Sequence, residues 1–305
     1  MPSLYDLIVE IILLSEALIG ILTNSLTVTI NVQDWIKYGS LNSCDKVLLT
    51  IGLSNIAFQC IMISNDMCML LWIEVFLLDY VYLIFFVLLM LMIYNNFWLT
   101  ASLCIFYCIK IITFHHPVLA WFKLRISKIV PCLLLGSVIG PFLLSVPAVW
   151  DIYKDYGLNV SASLTDNSAS KSYKLRWSFS YSIASLLLGC CMPFLLVLLS
   201  IILILTSLCR HARRMENTGG GFNKPRLEAH IGAAKTVIYL LFHYVVFYMA
   251  EFLLLFDIFQ LASLWSVLCM VIVYAFAPIQ SVILILGNSN LKQAVRRIIC
   301  PVKYG

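Results

Sequence analysis

Seven long apolar stretches divide this chain and decide its fold class. They cover residues 7–30, 47–73, 80–109, 129–149, 181–208, 233–256 and 263–286, and are named spans 1 to 7. A helix needs roughly 20 apolar residues to cross the hydrocarbon core of a bilayer. Strands of a membrane barrel would instead alternate polar and apolar residues. We therefore predict an all-α membrane protein, a seven-transmembrane helix bundle forming a single domain over residues 1–305.

The composition leaves few polar residues to cover a water-facing surface. Hydrophobic residues make up 62% of the chain and charged residues 11%, with a mean hydropathy of +0.97. A soluble domain carries about 25% charged residues. Soluble catalysis, nucleic-acid binding and disorder are therefore disfavoured. The sequence also lacks catalytic motifs and metal-type Cys/His spacing, so we expect no enzyme activity, no cofactor and no metal.

The distribution of Lys and Arg predicts the orientation of the bundle, because cytoplasmic segments are enriched in both. With the N-terminus extracellular and the C-terminus cytoplasmic, the inner segments hold 16 of these residues and the outer segments hold 4. We therefore expect a multi-pass protein of the cell membrane in this orientation. The sequon Asn159-Val160-Ser161 then lies in an outer loop and is a candidate glycosylation site.

The segment after span 7 has the pattern of a surface helix. Over residues 288–299, apolar side chains such as Leu291 and Val295 alternate with Lys292 and Arg296. This pattern predicts a short amphipathic helix on the inner membrane surface. Cys300 follows it and is either an acylation site or an ordinary tail cysteine.

Polar residues inside the spans usually face the bundle interior. Asn24 in span 1 is expected to hydrogen-bond to a neighbouring helix, and the lone His243 in span 6 is interpreted as a packing residue. Asp66 in span 2 has three open interpretations: it holds a cationic ligand, pairs with a neighbouring group, or reaches lipid headgroups.

Span 6 carries a stripe at helical spacing, formed by Tyr244, Phe247, Tyr248 and Glu251. Aromatic side chains with polar tips suit a pocket for a small amphipathic molecule. They equally suit ordinary helix packing, with Glu251 lying near the outer interface.

Several motifs distributed over nearly the whole chain are specific in combination. In spans 1 and 3 and the following loop they are Gly20–Asn24, Asn31–Lys37, Phe106–Ile111, Phe114–Pro117 and Trp121–Ile126. In spans 5 to 7 they are Pro193-Phe194, Ser207–His211, Glu228–His230, Ala234–Ile238 and Ser281–Asn288. Together these motifs resemble those of the type 2 (bitter) taste receptors. The resemblance implies a receptor that binds small bitter compounds outside and activates a heterotrimeric, gustducin-like G protein inside.

The resemblance also implies site residues. Leu89 and Ile93 align with the helix-3 Trp and Asn of the family's agonist pocket. Together with Asp66 and the stripe of span 6, they make up the predicted ligand contacts Asp66, Leu89, Ile93, Tyr244, Phe247, Tyr248 and Glu251. The basic inner face, which also suits contact with membrane lipid, supplies the predicted G-protein contacts Lys110, Lys123, Arg125, Arg213, Arg214 and Lys235.

The chain departs from the family pattern at named positions. Asn55 stands in place of the family's Arg in span 2, and Gln280 in place of its His in span 7.

Two rival classes share parts of this architecture: a vomeronasal or odorant-type chemosensory receptor, and a small transporter or channel.

Overall fold

The computed structural model of the protein describes residues 4–76, 78–111, 124–155, 174–218, 224–255, 258–259 and 263–299. Spans 1 to 3 lie in α1 (Leu4–Tyr38), α2 (Ser43–Leu71) and α4 (Asp79–Ile111), with a short α3 (Ile73–Phe76) before α4. Span 4 comprises α5 (Ile126–Ser145) and α6 (Ala148–Asp151). Span 5 comprises α7 (Phe179–Ser185), a π-helix (Leu186–Cys191) and α8 (Met192–Thr218). Span 6 lies in α9 (Lys224–Leu255), and span 7 in α10 (Leu264–Tyr274) and α11 (Phe276–Gly287).

Seven helices of the described chain are long and apolar enough to cross a membrane, which confirms the predicted fold class. Span 1 differs from its predicted bounds, because the helix continues past Asn31 to Tyr38. Asn31 stays compatible with the helix because its Nδ2 donates to the Thr27 carbonyl at 2.8 Å. The helix ends at Gly39, whose positive φ of 70° is the conformation that commonly terminates helices.

Span 3 occupies the middle of the bundle. It packs against spans 2, 4 and 5, while span 1 packs against spans 2 and 7, and span 6 against spans 5 and 7. The buried apolar side chains form two clusters, one in each half of the bundle. The two ends are therefore distinct surfaces with a packed core between them.

A short β-hairpin marks one end, which we name the hairpin side. Strand β1 (Ile152–Asp155) pairs antiparallel with β2 (Lys174–Trp177), with Ile152 opposite Trp177. These strands were not predicted from the sequence, in which this region is an outer loop. Asn159 lies outside the described residues.

The opposite end carries α12 (Ser289–Ile299), and we name it the surface-helix side. Asn288 caps this helix, since its Oδ1 accepts from the backbone N–H groups of Asn290 and Leu291 at 2.9 and 3.3 Å. Leu291 is buried against the bundle while Arg296 is exposed, as the amphipathic pattern predicts. Cys300 lies outside the described residues.

Candidate ligand and coupling sites

An apolar cluster fills the hairpin-side half of the bundle. Spans 2, 3, 6 and 7 all contribute to it. Its members and the side chains packed against it include five of the predicted ligand contacts, Leu89, Ile93, Tyr244, Phe247 and Tyr248. The fold therefore brings the predicted contacts of spans 3 and 6 together.

Phe97 lies within this cluster at its contact between spans 3 and 6. Its ring centroid is 4.4 Å from that of Tyr244, 5.4 Å from that of Phe247 and 6.4 Å from that of Tyr248. These separations are within the range of favourable aromatic pairs. Phe97 was not among the predicted contacts, although its position four residues after Ile93 places both on one helix face.

Burial separates the predicted contacts into two levels. Tyr244 and Phe247 are each 1% exposed, so neighbouring side chains already cover them. Leu89, Tyr248 and Glu251 are half-buried and lie nearer the hairpin side. Contact of any small molecule with Tyr244 would therefore require side chains to move.

The two acidic residues differ in their partners. Asp66 is engaged, because the Tyr274 hydroxyl donates to its carboxylate and Asn65 Nδ2 donates to it at 3.2 Å. Of the three interpretations of Asp66, the structure therefore shows the one in which it pairs with neighbouring groups. Within the described part of the chain, no hydrogen bond or ion pair to Glu251 occurs.

The π-helix in span 5 supplies backbone acceptors to the cluster. Pro193 has no N–H, so the regular helical bonding pattern is interrupted before it. Within the π-helix, the Leu188 carbonyl accepts from Trp98 Nε1 at 3.2 Å, and the Cys190 carbonyl accepts from the Tyr244 hydroxyl at 2.8 Å. Tyr244 thus joins spans 3, 5 and 6.

Span 7 is interrupted between α10 and α11, just before Pro278. Because proline cannot donate, the carbonyl of Tyr274 lacks its helical partner, and Gln59 Nε2 of span 2 donates to it at 2.9 Å. Asn24 Nδ2 of span 1 donates to the Ala277 carbonyl at 3.2 Å. This bond confirms the prediction that Asn24 contacts a neighbouring helix.

His243 of span 6 binds the same interruption. Its Nε2 lies 3.0 Å from the Phe276 carbonyl, and the two rings stack with centroids 4.8 Å apart. A carbonyl only accepts hydrogen bonds, so we assign the proton to Nε2. His243 is thus a helix-contact residue, as the sequence analysis interpreted it.

The surface-helix side carries the described coupling candidates. Lys110, Arg125 and Lys235 are exposed, and the Lys110 ammonium lies 5.7 Å from the Phe106 ring centroid. Arg213 and Arg214 belong to α8. Lys123 lies outside the described residues.

Spans 6 and 7 touch directly on this side. A Cβ added to Gly287 would lie 2.3 Å from Thr236 Oγ1, which is far inside van der Waals contact. Thr236 is adjacent in sequence to Lys235. The sequence analysis missed this contact, because a lone helical glycine does not reveal its partner.

Comparison with known proteins identifies the family of this chain. The family described as Taste receptor protein (TAS2R) matches residues 1–303. Chicken (Gallus gallus) taste receptor type 2 member 40 is 30% identical over 300 residues, covering 98% of this chain and 96% of that protein. Human (Homo sapiens) taste receptor type 2 member 9 is 31% identical over 305 residues, covering 99% and 96%. The chain belongs to the taste receptor (TAS2R) family. As a taste receptor it is a signalling receptor and not an enzyme, and neither rival class is favoured.

Asn55 and Gln280 contact each other in the core of this taste receptor. Asn55 Nδ2 donates to Gln280 Oε1 at 2.8 Å, and Gln280 Nε2 donates to Thr100 Oγ1 at 2.9 Å. Asn55 also donates to Asn24 Oδ1 at 3.1 Å. Neutral side chains thus link spans 1, 2, 3 and 7 by hydrogen bonds that need no counter-ion.

Proposed function

We propose that this taste receptor detects small bitter compounds on its hairpin side and activates a heterotrimeric, gustducin-like G protein on its surface-helix side. The observation that carries the proposal is the aromatic cluster of spans 3 and 6, which Tyr244 connects by a hydrogen bond to the backbone of span 5. A ligand that alters this cluster acts on several spans at once.

The proposed ligand site has a rim and a floor. The half-buried side chains of Leu89, Tyr248 and Glu251, with Asp66 on span 2, form the rim. The floor consists of Ile93, Tyr244 and Phe247, which are at most 6% exposed. An apolar floor beneath carboxylates suits a small, hydrophobic, cationic agonist.

Glu251 is the stronger candidate for direct contact with a cationic agonist. Asp66 already accepts hydrogen bonds from Tyr274 and Asn65, so a ligand must compete with these donors. The Glu251 carboxylate has no such competitor in the described part of the chain.

The proposed coupling face is basic. It consists of Lys110, Lys123, Arg125, Arg213, Arg214 and Lys235, and its positive charge also favours contact with anionic membrane lipid. The excess of Lys and Arg in the predicted inner segments supports a cytoplasmic surface-helix side, with the N-terminus and the Asn159 loop extracellular.

Signalling then follows from a shift of populations between two helix arrangements. An agonist shifts this equilibrium only by the difference in its affinity for the two states. The interruptions of spans 5 and 7 are natural points of adjustment, because side chains of other spans donate to backbone carbonyls there and the Tyr274 carbonyl has no helical donor.

The experiment is a screen of bitter compounds in cells that express this receptor with a gustducin-like G protein. We expect dose-dependent signalling that vanishes without the receptor and without the G protein. A response that persists without the G protein, or transport of the compound across the membrane, would contradict the proposal.

A further inference from the structure

A polar cavity lies at the surface-helix side, remote from the aromatic cluster. Its volume is about 730 Å³, and it lies between the end of α1, the turn before α2, and α12. Its polar lining includes Asp34, Asn42, Asp45, Asn290, Gln293 and Arg297. Neither the proposed agonist site nor the proposed coupling residues include any of these side chains.

The charges around this cavity are of opposite sign and form no ion pair with each other, although the Asp45 carboxylate accepts hydrogen bonds from the side chains of Asn42 and Asn288. Asp34 comes from α1, Asp45 from α2, and Arg297 from α12. Within the described ranges, Arg297 forms no ion pair with Asp34 or Asp45. The cavity therefore presents two carboxylates and a guanidinium that a ligand carrying both charges would complement.

The cavity lies at the depth of lipid headgroups. Trp35 and Tyr38, at the end of α1, are 54% and 65% exposed, and exposed Trp and Tyr mark membrane interfaces. The amphipathic helix α12 forms one wall, and such helices lie in the headgroup region. Apolar side chains of Ile30 and Ile298 also line the cavity, next to the polar groups.

We propose that this cavity binds the ethanolamine headgroup of a zwitterionic phospholipid. The ammonium lies between Asp34 and Asp45, and the phosphate contacts Arg297. This assignment holds for either leaflet, so it is independent of the proposed orientation and of the proposed agonist.

The lining favours ethanolamine over the other common headgroups. A primary ammonium has three N–H donors, which match the carboxylates and the side-chain oxygens of Asn42 and Asn290. Choline has no N–H and binds best within several aromatic rings, whereas Tyr38 is the aromatic residue on this lining. Serine headgroups carry an additional carboxylate, which Asp34 and Asp45 repel.

Lipid binding is measured on the purified, delipidated full-length receptor by native mass spectrometry. Phosphatidylethanolamine, phosphatidylcholine and phosphatidylserine of identical acyl chains compete for the protein. We expect phosphatidylethanolamine to be retained preferentially. Asp34→Asn and Arg297→Gln should each weaken its binding about fivefold, the size of a partly exposed charge contact.

Matched variants distinguish a specific lipid-binding site from non-specific electrostatic attraction between lipid and protein. Arg296→Gln removes the same charge from the neighbouring residue of α12, which does not line the cavity, and should retain binding. Gln293→Trp fills the cavity without changing its charge and should abolish the preference. Equal losses in Arg296→Gln and Arg297→Gln, equal retention of phosphatidylcholine, or a preference for phosphatidylserine would each overturn the proposal.

Discussion

Gly287 ends span 7 in direct contact with the side chain of Thr236. An added Cβ would lie 2.3 Å from Oγ1, 2.6 Å from Cγ2 and 3.0 Å from Cβ of Thr236. Thr236 is β-branched and therefore stiff at χ1, and its hydroxyl donates to the Gly232 carbonyl at 3.1 Å. The side chain cannot rotate away from a new methyl group without losing this bond.

We expect Gly287→Ala to lower the free energy of unfolding. Overpacking costs about 1–3 kcal/mol, while Gly→Ala in a helix returns about 0.5–1 kcal/mol, so a net loss of about 1–2 kcal/mol remains. The assay is thermal unfolding of the purified receptor in detergent. Gly136→Ala in span 4 is the control, because nothing lies within 4 Å of its added Cβ, and it should leave stability unchanged or raise it.

A second substitution tests the cause of this loss. Thr236→Ala removes the two atoms nearest to the added methyl, so it should recover most of the stability of Gly287→Ala. The coupling between the two sites should be about 1–2 kcal/mol in a double-mutant cycle. If Gly287→Ala behaves like Gly136→Ala, or if Thr236→Ala brings no recovery, the direct contact of spans 6 and 7 is refuted.

Three further predictions concern the proposed sites. Lys110→Glu and Lys235→Glu reverse charges on the coupling face and should weaken signalling at normal surface expression; unchanged dose–response curves would remove both residues from the site. Losing a partly desolvated charge contact costs about 2–5 kcal/mol. Asp66→Asn and Glu251→Gln should therefore reduce the potency of cationic agonists by about tenfold or more. Neutral agonists should be little affected, and concentration–response curves measure both effects. Asn159→Gln should remove a glycan detectable as a gel shift, and a shift that persists in the variant would contradict the assignment.

The helices could be predicted from the sequence because each one depends on a property of a single continuous segment. Each span needs only enough consecutive apolar residues, and this requirement is visible in the sequence. The predicted span 1 ends at residue 30, before the polar side chain of Asn31, whereas the amide of Asn31 bonds within the helix and the helix continues. The π-helix at Leu186–Cys191 was missed because apolar composition does not distinguish it from an α-helix.

The site was less predictable because it depends on which helices face each other. The spacing of Tyr244, Phe247 and Tyr248 predicted a shared face, but not that Phe97 of span 3 contacts all three rings. In the same way, the sequence shows Asp66 within span 2 but not its hydrogen bond with Tyr274, which is 208 residues away in sequence.

The interruption of span 7 has a consequence for how this receptor tolerates mutation. The side chains of Gln59, His243 and Asn24 bind backbone carbonyls of span 7. A substitution in span 7 changes a side chain and leaves these carbonyl acceptors in place, so the three hydrogen bonds do not depend on the identity of the residues that carry the carbonyls. Contacts made by side chains of span 7, such as the stacking of Phe276 on His243, are the ones that a substitution removes.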